Sequence, residues 1–362
     1  MDLRREGDKM KKESLQFLKE LVNSFSPSGF EEDAVKVWKQ RTKSFVEDVK
    51  TDVHGNSIGV LNKDGSPKVM LAGHIDEIGY MVKYVDKEGY IYFSTIGGID
   101  LHLVPGERVW IKTRKGIVLG VIGKKPIHLL EREEREKVAK IDQLWIDIGA
   151  KNQKEAKSKV SIGDPAVPAV GFEVLNRDMV IARGFDDRAG AFAVSETLRL
   201  ISGKKPKASV FGVATVQEEI GLRGARTSAY GISPDVGIAI DVTFATDFPT
   251  VEKKRVGDIK MGEGPVIARG PNINPKVFNL LVETAKEEKI PYQIEGAPRG
   301  TGTDANVIQL TKAGVATGLV SIPNRYMHTP VELVNLKDLE NVSKLLSAFI
   351  LRLNKKSDFI PY

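Results

Sequence analysis

The amino-acid sequence predicts a mixed α/β fold that is interrupted by an all-β segment. Strand and helix patterns alternate up to about residue 77 and again from residue 167 onwards, which is typical of a sheet covered by helices. Between these parts, short strand-like runs are separated by Gly, Pro and Asp turns, as in a small barrel. We therefore expect one α/β domain formed by residues 1–77 and 167–362, split by a β-rich domain at residues 78–166.

Most elements can be predicted in chain order. Apolar residues at helical spacing predict helices, and short apolar or alternating runs bounded by turn residues predict strands. The expected helices are Ser14–Phe25, Glu31–Lys43, Ala189–Ile201, Pro275–Lys289, Asp304–Ala313 and Leu336–Leu353. The expected strands are Val69–Ala72, Tyr80–Val85, Tyr90–Ser94, Arg108–Lys112, Ile117–Ile122, Met179–Arg183, Ser209–Val216, Val236–Ile240 and Gly318–Ile322. The charged stretch Glu131–Lys140 is expected to face solvent or to be disordered.

The composition excludes several classes of protein. The chain has 362 residues, with 54 Lys and Arg against 48 Asp and Glu, five histidines and no cysteine. Without cysteine, disulfide frameworks, thiolate zinc fingers, iron–sulfur sites and cysteine nucleophiles are excluded. With 28% charged and 41% hydrophobic residues, the composition is that of a globular protein. The lack of cysteine together with many Lys and Glu residues suits a thermophile.

Binding to nucleic acid or to a membrane is not expected. The net charge is only +6, and the Lys-rich stretches are scattered and carry no interleaved aromatic residues. No apolar run reaches the roughly 18 residues of a membrane helix, and the charged N-terminus lacks the apolar core of a signal peptide. We therefore expect a cytoplasmic protein whose translation begins at Met1 or at Met10.

Acidic residues and histidines follow the ends of five predicted strands. They are His74 and Asp76, Asp186 and Asp187, Glu218 and Glu219, Asp241, and His328. In an open α/β sheet, ligands bind beyond the carboxyl ends of the strands. Each acidic pair taken alone has a structural explanation, because Asp186-Asp187 could cap a helix and Glu218-Glu219 could lie in a first helical turn. Their recurrence at five strand ends favours a functional site.

These side chains provide nitrogen and oxygen ligands. Such ligands suit one or two ions of Zn, Co or Mn, and a carboxylate can bridge two ions that together activate a water. One acid must then stay free as a general base, and the adjacent Glu218 and Glu219 fit a division into one base and one ligand. His74 and Asp76 are two residues apart and share a face of an extended chain, so Asp76 can orient the second ring nitrogen of His74.

Other motifs have simpler explanations. Gly300–Asp304 resembles a phosphate-binding loop but lacks the lysine of a P-loop, so we interpret it as a tight loop before a helix capped by Thr303 or Asp304. The G-x-S-x-G pattern around Ser57 is followed by a short strand and a turn, whereas a nucleophile elbow requires a helix there. His54 is interpreted as a structural or surface residue.

Several segments, taken together and in order, resemble one peptidase family. They are Ala72–Gly79, Phe185–Gly190, Gln217–Gly221, Ile240–Thr243 and Arg325–Pro330, with Gly123–His128 and Trp145–Ala150 in the β-rich part and Asp52 with Gly55-Asn56. The combination resembles the tetrahedral (TET) or deblocking metallo-aminopeptidases of the M42 family, over about residues 14–349. The resemblance implies a zinc-peptidase-like catalytic domain and a PDZ-like dimerisation domain in the β-rich segment. It also implies dimers that assemble into a hollow tetrahedral dodecamer.

The resemblance further implies a site with two divalent metal ions, usually Zn or Co. One ion would be held by His74, Asp186 and Asp241, and the other by Asp186, Glu219 and His328, with Asp186 bridging. Glu218 would be the general base, and Asp76 would orient His74. Asp187 would follow Asp186 across a strained peptide bond.

These roles imply an aminopeptidase that releases N-terminal amino acids from short peptides. A water held between the ions would attack the scissile bond with the help of Glu218. Two alternatives stay open: a related dinuclear deacylase or carboxypeptidase, and a non-catalytic assembly protein with the same fold. We expect residues 243–249 and 300–306 to form the pocket for the first residue of the peptide. Asp247 could favour a basic residue there, although a solvated loop acid is the simpler interpretation.

Overall fold

The computed structural model describes residues 10–362, so the expectation about the residues before Met10 lies outside the described residues. The helices of the described part are α1 (Lys12–Asn23), α2 (Glu32–Thr42), α3 (Arg132–Arg135), α4 (Gln153–Lys159), α5 (Phe185–Ile201), α6 (Arg223–Ile232), α7 (Lys253–Val256), α8 (Pro275–Glu287), α9 (Ala305–Ile308) and α10 (Leu336–Arg352). The first eleven strands of the described part are β1 (Asp48–Thr51), β2 (Ser57–Leu61), β3 (Lys68–His74), β4 (Gly79–Val85), β5 (Ile91–Ile96), β6 (Arg108–Thr113), β7 (Gly116–Gly123), β8 (Trp145–Asp147), β9 (Pro165–Pro168), β10 (Glu173–Asn176) and β11 (Met179–Ala182). The remaining strands are β12 (Ser209–Thr215), β13 (Val236–Phe244), β14 (Val266–Arg269), β15 (Gln293–Gly296), β16 (Ala316–Arg325) and β17 (Glu332–Asn335).

A mixed sheet of eleven strands forms the larger part of the fold. Its central strands β12, β3, β13 and β16 are parallel to one another, and antiparallel strands extend it on both sides. The central strands are buried along nearly their whole length, as expected for parallel strands covered on both faces. Thr215 of β12 pairs with His74 of β3, so the carboxyl ends of these strands lie side by side.

Helix α5 is the central helix of this part. It packs against β3, β12 and β13, and α1, α2 and α10 pack against it. The ring of Phe17 from α1 stacks on Phe192 of α5, with centroids 5.6 Å apart. Gly73 allows α5 to lie close to β3, because a Cβ at this position would come within 2.5 Å of the backbone of Gly190. This close approach brings the start of α5 next to the end of β3.

A closed barrel forms the second part, in the strand order β4-β5-β8-β7-β6-β9. Strand β9 closes it by pairing with both β4 and β6. The barrel has its own hydrophobic core, which includes Tyr80, Val109 and Ile146. The expected β-rich segment is therefore a closed barrel, whereas the exact boundaries of the two domains stay predictions.

Some elements differ from the sequence-based expectation. The helix expected at 304–313 is only the four-residue α9, and the positive φ values of Lys312 and Gly314 are incompatible with a helix that continues to residue 313. Asp304 makes no side-chain hydrogen bond to this helix and instead accepts the hydroxyl of Thr215 at 2.6 Å, contrary to the capping interpretation. The pattern does not indicate α6, whose Gly, Ser and Thr residues have low helix propensity.

Two further expectations concern exposed segments. In the charged stretch Glu131–Lys140, residues 131–138 are exposed, so the stretch faces solvent. Between residues 10 and 362, no helix has the length and apolar character needed to cross a membrane.

Candidate metal centre

The carboxyl ends of the central strands form one side of a cavity of about 690 Å³. Six predicted site residues line it: His74 from β3, Asp186 from α5, Glu218 and Glu219 from the loop after β12, Asp241 from β13, and His328 from the loop after β16. The seventh, Asp76, is fully buried. None of these seven described residues lines the larger cleft of about 1300 Å³ near residues 354–362. The smaller cavity is therefore the candidate functional site.

The carboxylate of Asp186 lies between two histidines. Its Oδ1 is 3.1 Å from Nε2 of His74, and its Oδ2 is 3.2 Å from Nε2 of His328. Nε2 of His74 is also 4.0 Å from Oδ1 of Asp241, and Nε2 of His328 is 3.5 Å from Oε2 of Glu219. The five side chains thus form two groups that share Asp186.

Asp187 is a further acid within ligand distance. Two overlapping sets of described residues have ligand atoms that all lie within 4.8 Å of one another: His74, Asp187 and Asp241, and His74, Asp186 and Glu219. The oxygens of Asp187, however, accept the backbone N–H groups of His74 at 3.1 Å and of Gly190 at 2.9 Å. Asp186 follows β11 and is joined to Asp187 by a cis peptide bond. Because the carboxylate of Asp187 already accepts two backbone N–H groups, the carboxylate of Asp186 is better placed to bind a cation.

Asp76 connects three site residues from inside the protein. Its Oδ1 is 3.4 Å from Nδ1 of His74 and accepts the backbone N–H of Glu218 at 3.1 Å. Its Oδ2 accepts the N–H of Glu219 at 3.2 Å and the hydroxyl of Ser28 at 2.5 Å. One buried carboxylate therefore fixes the position of the histidine relative to the two glutamates.

Glu332 is a buried acid at the site for which the sequence gives little signal. Its carboxylate accepts the backbone N–H of Asp186 at 2.8 Å and that of His328 at 3.1 Å, so it joins the two segments that carry these residues. His328 has a φ of +61°, in the left-handed region that few residues other than glycine adopt. The only hint in the sequence is that Glu332 lies four residues after His328.

Burial of several acids together shifts their pKa values. Desolvation raises the pKa of Glu218 to about 9 and that of Asp241 to about 8, and neighbouring carboxylates add to the rise. Burial acts in the same direction on Asp186, but its hydrogen bonds to the two imidazoles lower its pKa below the usual value. The cavity therefore holds more buried acids than its two histidines can neutralise, and positive charge would stabilise their ionised forms.

The available ligands fit divalent metal ions. Imidazole nitrogens and carboxylate oxygens are ligands of Zn and of related transition metals. In addition, Oε1 of Glu219 is buried and has no hydrogen-bond partner among the described residues. A buried carboxylate oxygen without a partner is unfavourable, and binding to a cation would satisfy it.

The wall of the cavity agrees only in part with the expected pocket. Thr243 and the loop Gly300–Thr303 line it, as expected. Asp247 does not, because its Oδ2 lies 2.7 Å from Nη2 of Arg325 and its charge is paired there. Glu295 of β15 lines the cavity instead. The sequence does not indicate this residue, because β15 reaches the site only through its pairing with β14.

Comparisons with known proteins show that the chain resembles aminopeptidases of one family. The chain matches the family model of the M42 glutamyl aminopeptidases over residues 55–345. It is 40% identical over 350 residues to the lysyl aminopeptidase of Pyrococcus furiosus, covering 96% of this chain and 99% of that protein. The structure of a TET aminopeptidase from a Thaumarchaeota archaeon is 36% identical, with a TM-score of 0.91, covering 94% of this chain and 97% of that one. The TET1 peptidase of Pyrococcus horikoshii, which can assemble into a tetrahedron or a large octahedral shell, is 34% identical, with a TM-score of 0.84, covering 94% of this chain and 100% of that one.

These similarities extend over nearly the whole chain. The relatives are named lysyl and glutamyl aminopeptidases, which confirms the expected enzyme class, a hydrolase of the aminopeptidase type. The family is metal-dependent, in agreement with the ligands of the cavity. The chain therefore belongs to the M42 family of aminopeptidases.

Proposed function

We propose that the chain is a dinuclear metal-dependent aminopeptidase that releases the N-terminal residue of short peptides. The observation that carries the proposal is the position of Asp186, whose two carboxylate oxygens each lie beside a different imidazole. A carboxylate in this position can bridge two divalent ions.

Each ion would have one histidine of its own. We assign His74, Asp186 and Asp241 to one ion, and Asp186, Glu219 and His328 to the other. When bound, the two ions, Zn or Co, would polarise the carbonyl of the scissile bond and lower the pKa of the attacking water.

Glu218 is the residue that we assign as the general base. It lines the cavity, with its Oε2 3.8 Å from Nε2 of His74, and we assign it to neither ion. Its carboxylate would take a proton from the attacking water and pass it to the leaving amine, as general acid–base catalysis requires. The adjacent Glu219 reaches His328 instead, which separates the roles of the two glutamates. Asp76 does not line the cavity, and we assign it a positioning role through His74.

We also propose that copies of the chain assemble through the barrel. The barrel would then be the PDZ-like dimerisation domain that the resemblance implies. Ile117, Leu119 and Val121 of β7 are 55%, 56% and 46% exposed. They alternate along one strand and therefore lie on one face. An exposed row of apolar side chains is typical of a contact site, and dimers formed there would be the units of a tetrahedral dodecamer.

Release of amino acids by the metal-loaded protein tests the proposed activity. The protein is stripped with a chelator, reloaded with Zn or Co, and incubated with a short peptide in its free, N-acetylated and C-amidated forms. We expect the first residue to be released from the free and C-amidated peptides only, with loss of activity in the chelator and recovery on reloading. Removal of the acetyl group, or of the last residue, would favour a deacylase or a carboxypeptidase. No turnover of any peptide by the fully loaded protein would favour a non-catalytic assembly protein.

A further inference from the structure

Glu295 places a negative charge in the cavity wall beside the candidate metal centre. Its half-buried side chain lines the same cavity as Asp241 and Thr243. The hydroxyl of Thr243 donates to Oε2 of Glu295 at 3.0 Å. Thr243 lies two residues beyond Asp241 on β13, so the two side chains are on the same face of the strand, roughly 7 Å apart along it.

The strand that carries Glu295 leaves space next to it. Glu295 pairs with Ala268 of β14, and both residues line the cavity. Because paired residues of neighbouring strands point to the same face of a sheet, the small side chain of Ala268 stands beside the carboxylate. Leu319 of the adjoining β16 adds an apolar surface to the same wall. A long substrate side chain could therefore lie on apolar groups and end at Glu295.

The two proposed metal ions do not neutralise the negative charge of Glu295. In the proposed function, two divalent ions carry four positive charges. Four negative charges balance them, those of Asp186, Glu218, Glu219 and Asp241. Glu295 is the fifth carboxylate of the lining, and the described residues that line the cavity include no Lys or Arg. Its partner Thr243 is neutral, so the carboxylate of Glu295 has no cationic partner within residues 10–362, although it lies in a partly desolvated place.

We infer that Glu295 selects peptides whose first residue has a cationic side chain, such as lysine. The inference rests on the proposed function, since the metal centre is what would hold the first peptide bond near Asp241. A side chain that extends from this bond past Thr243 would bring its ammonium group to the carboxylate of Glu295. The lysine side chain is long and flexible enough for this, and its ammonium group would form a charge-assisted hydrogen bond.

A pair of substrates that differ by the terminal ammonium group of the first side chain tests this inference. Lysyl and norleucyl 4-nitroanilides have similar shapes, but only the lysyl compound carries an ammonium group. We expect the metal-loaded wild-type protein to cleave the lysyl substrate with a kcat/KM at least about tenfold higher. We expect Glu295→Gln to reduce this preference about 10- to 100-fold, the effect of losing one hydrogen bond to a charged group, and to leave the norleucyl kcat/KM within about threefold of wild type.

The control variant is Glu283→Gln, the same chemical change at an exposed position of α8, which should leave the preference unchanged. Equal rates for both substrates in the wild type would overturn the inference, whatever the behaviour of the variant. An equal loss for both substrates in Glu295→Gln would also overturn it, because Glu295 would then bind the α-amino group that every substrate carries. Failure of the proposed function is distinguishable, since the loaded wild type would then cleave neither substrate.

Discussion

The fully buried carboxylate of Asp76 accepts the backbone N–H of Glu218 at 3.1 Å. The same carboxylate accepts the N–H of Glu219 and lies beside Nδ1 of His74. The general base and a ligand of each proposed metal ion therefore depend on one side chain that does not itself line the cavity.

Asp76→Asn should reduce turnover without removing the substrate pocket. The asparagine amide has a single acceptor oxygen, so one N–H of the glutamate pair loses its partner, and His74 loses a negative neighbour. We expect kcat or metal affinity to fall about 10- to 100-fold with KM nearly unchanged. The control is Ser28→Ala, which removes one hydrogen bond to Asp76 but keeps its charge, and it should have a smaller effect. Steady-state kinetics and metal titration measure these effects in both variants. A kcat and a metal affinity of Asp76→Asn equal to those of the wild type would contradict the positioning role.

Glu218→Gln should keep both metal ions and lose turnover. The glutamine amide cannot take up a proton, so we expect kcat to fall about 10²- to 10⁴-fold, the usual effect of losing a general base. The neighbouring Glu219→Gln is the matched control, because it should lose metal as well as activity. Metal content by elemental analysis and initial rates measure the two effects. Near-normal activity of Glu218→Gln would show that another group is the base.

His328→Ala should bind less metal than the wild type. The variant removes the imidazole that lies nearest to Oδ2 of Asp186, and we expect the bound metal to fall from about two ions per chain towards one. His102→Ala, at an exposed histidine outside the site, provides the control. If His328→Ala keeps the full metal content, this histidine is not a ligand.

The sequence predicts which acids and histidines meet at the cavity better than it predicts how they are held. His74 and Asp241 could be singled out because they stand at the ends of apolar strands, where an acid or a histidine has few structural reasons to occur. Glu332 contacts the backbone of Asp186 across 146 positions of the chain. Such a contact depends on how β17 pairs with its neighbours, and periodicity along the chain carries no information about strand pairing.

The same limit applies to the fold. The parallel strands β3 and β13 are predicted from short apolar runs, because they are buried on both faces. The closure of the barrel is not predicted from the sequence, because β9 must pair both with β6 and with β4, which lies more than 80 residues away in the chain. The sequence favours a solvated loop acid at Asp247 over a role in substrate selection, and the ion pair that Asp247 forms with Arg325 also depends on long-range packing.

The metal-free protein should become less stable as the pH rises. Burial raises the pKa of Glu218 to about 9, and that of Asp241 and of Glu332 to about 8, whereas these acids titrate near pH 4 in an unfolded chain. Between these values the folded state binds more protons than the unfolded state, so the free energy of unfolding falls with increasing pH. We expect the melting temperature in chelator to decrease from about pH 5 to about pH 9, and the stabilisation by added Zn to grow over the same range.

A half-buried acid of the barrel provides the control for this pH dependence. Burial raises the pKa of Glu107 to about 7, against the hydrogen bond that it accepts from Tyr80 at 2.9 Å. Glu107→Gln should therefore flatten the pH dependence equally with and without metal. A melting temperature of the chelated wild type that rises between pH 5 and pH 9 would contradict the prediction.

Leu119→Glu should reduce the size of the assembly and leave the chain folded. Leu119 is the central residue of the exposed apolar row on β7, and a charge there opposes burial in a contact between copies. The variant should elute as a smaller species in size-exclusion chromatography with light scattering. Activity on a dipeptide substrate should persist, since all seven predicted site residues come from one chain. Val174→Glu, on β10 outside the barrel and also 56% exposed, is the control, and an unchanged particle mass for Leu119→Glu would place the contact elsewhere.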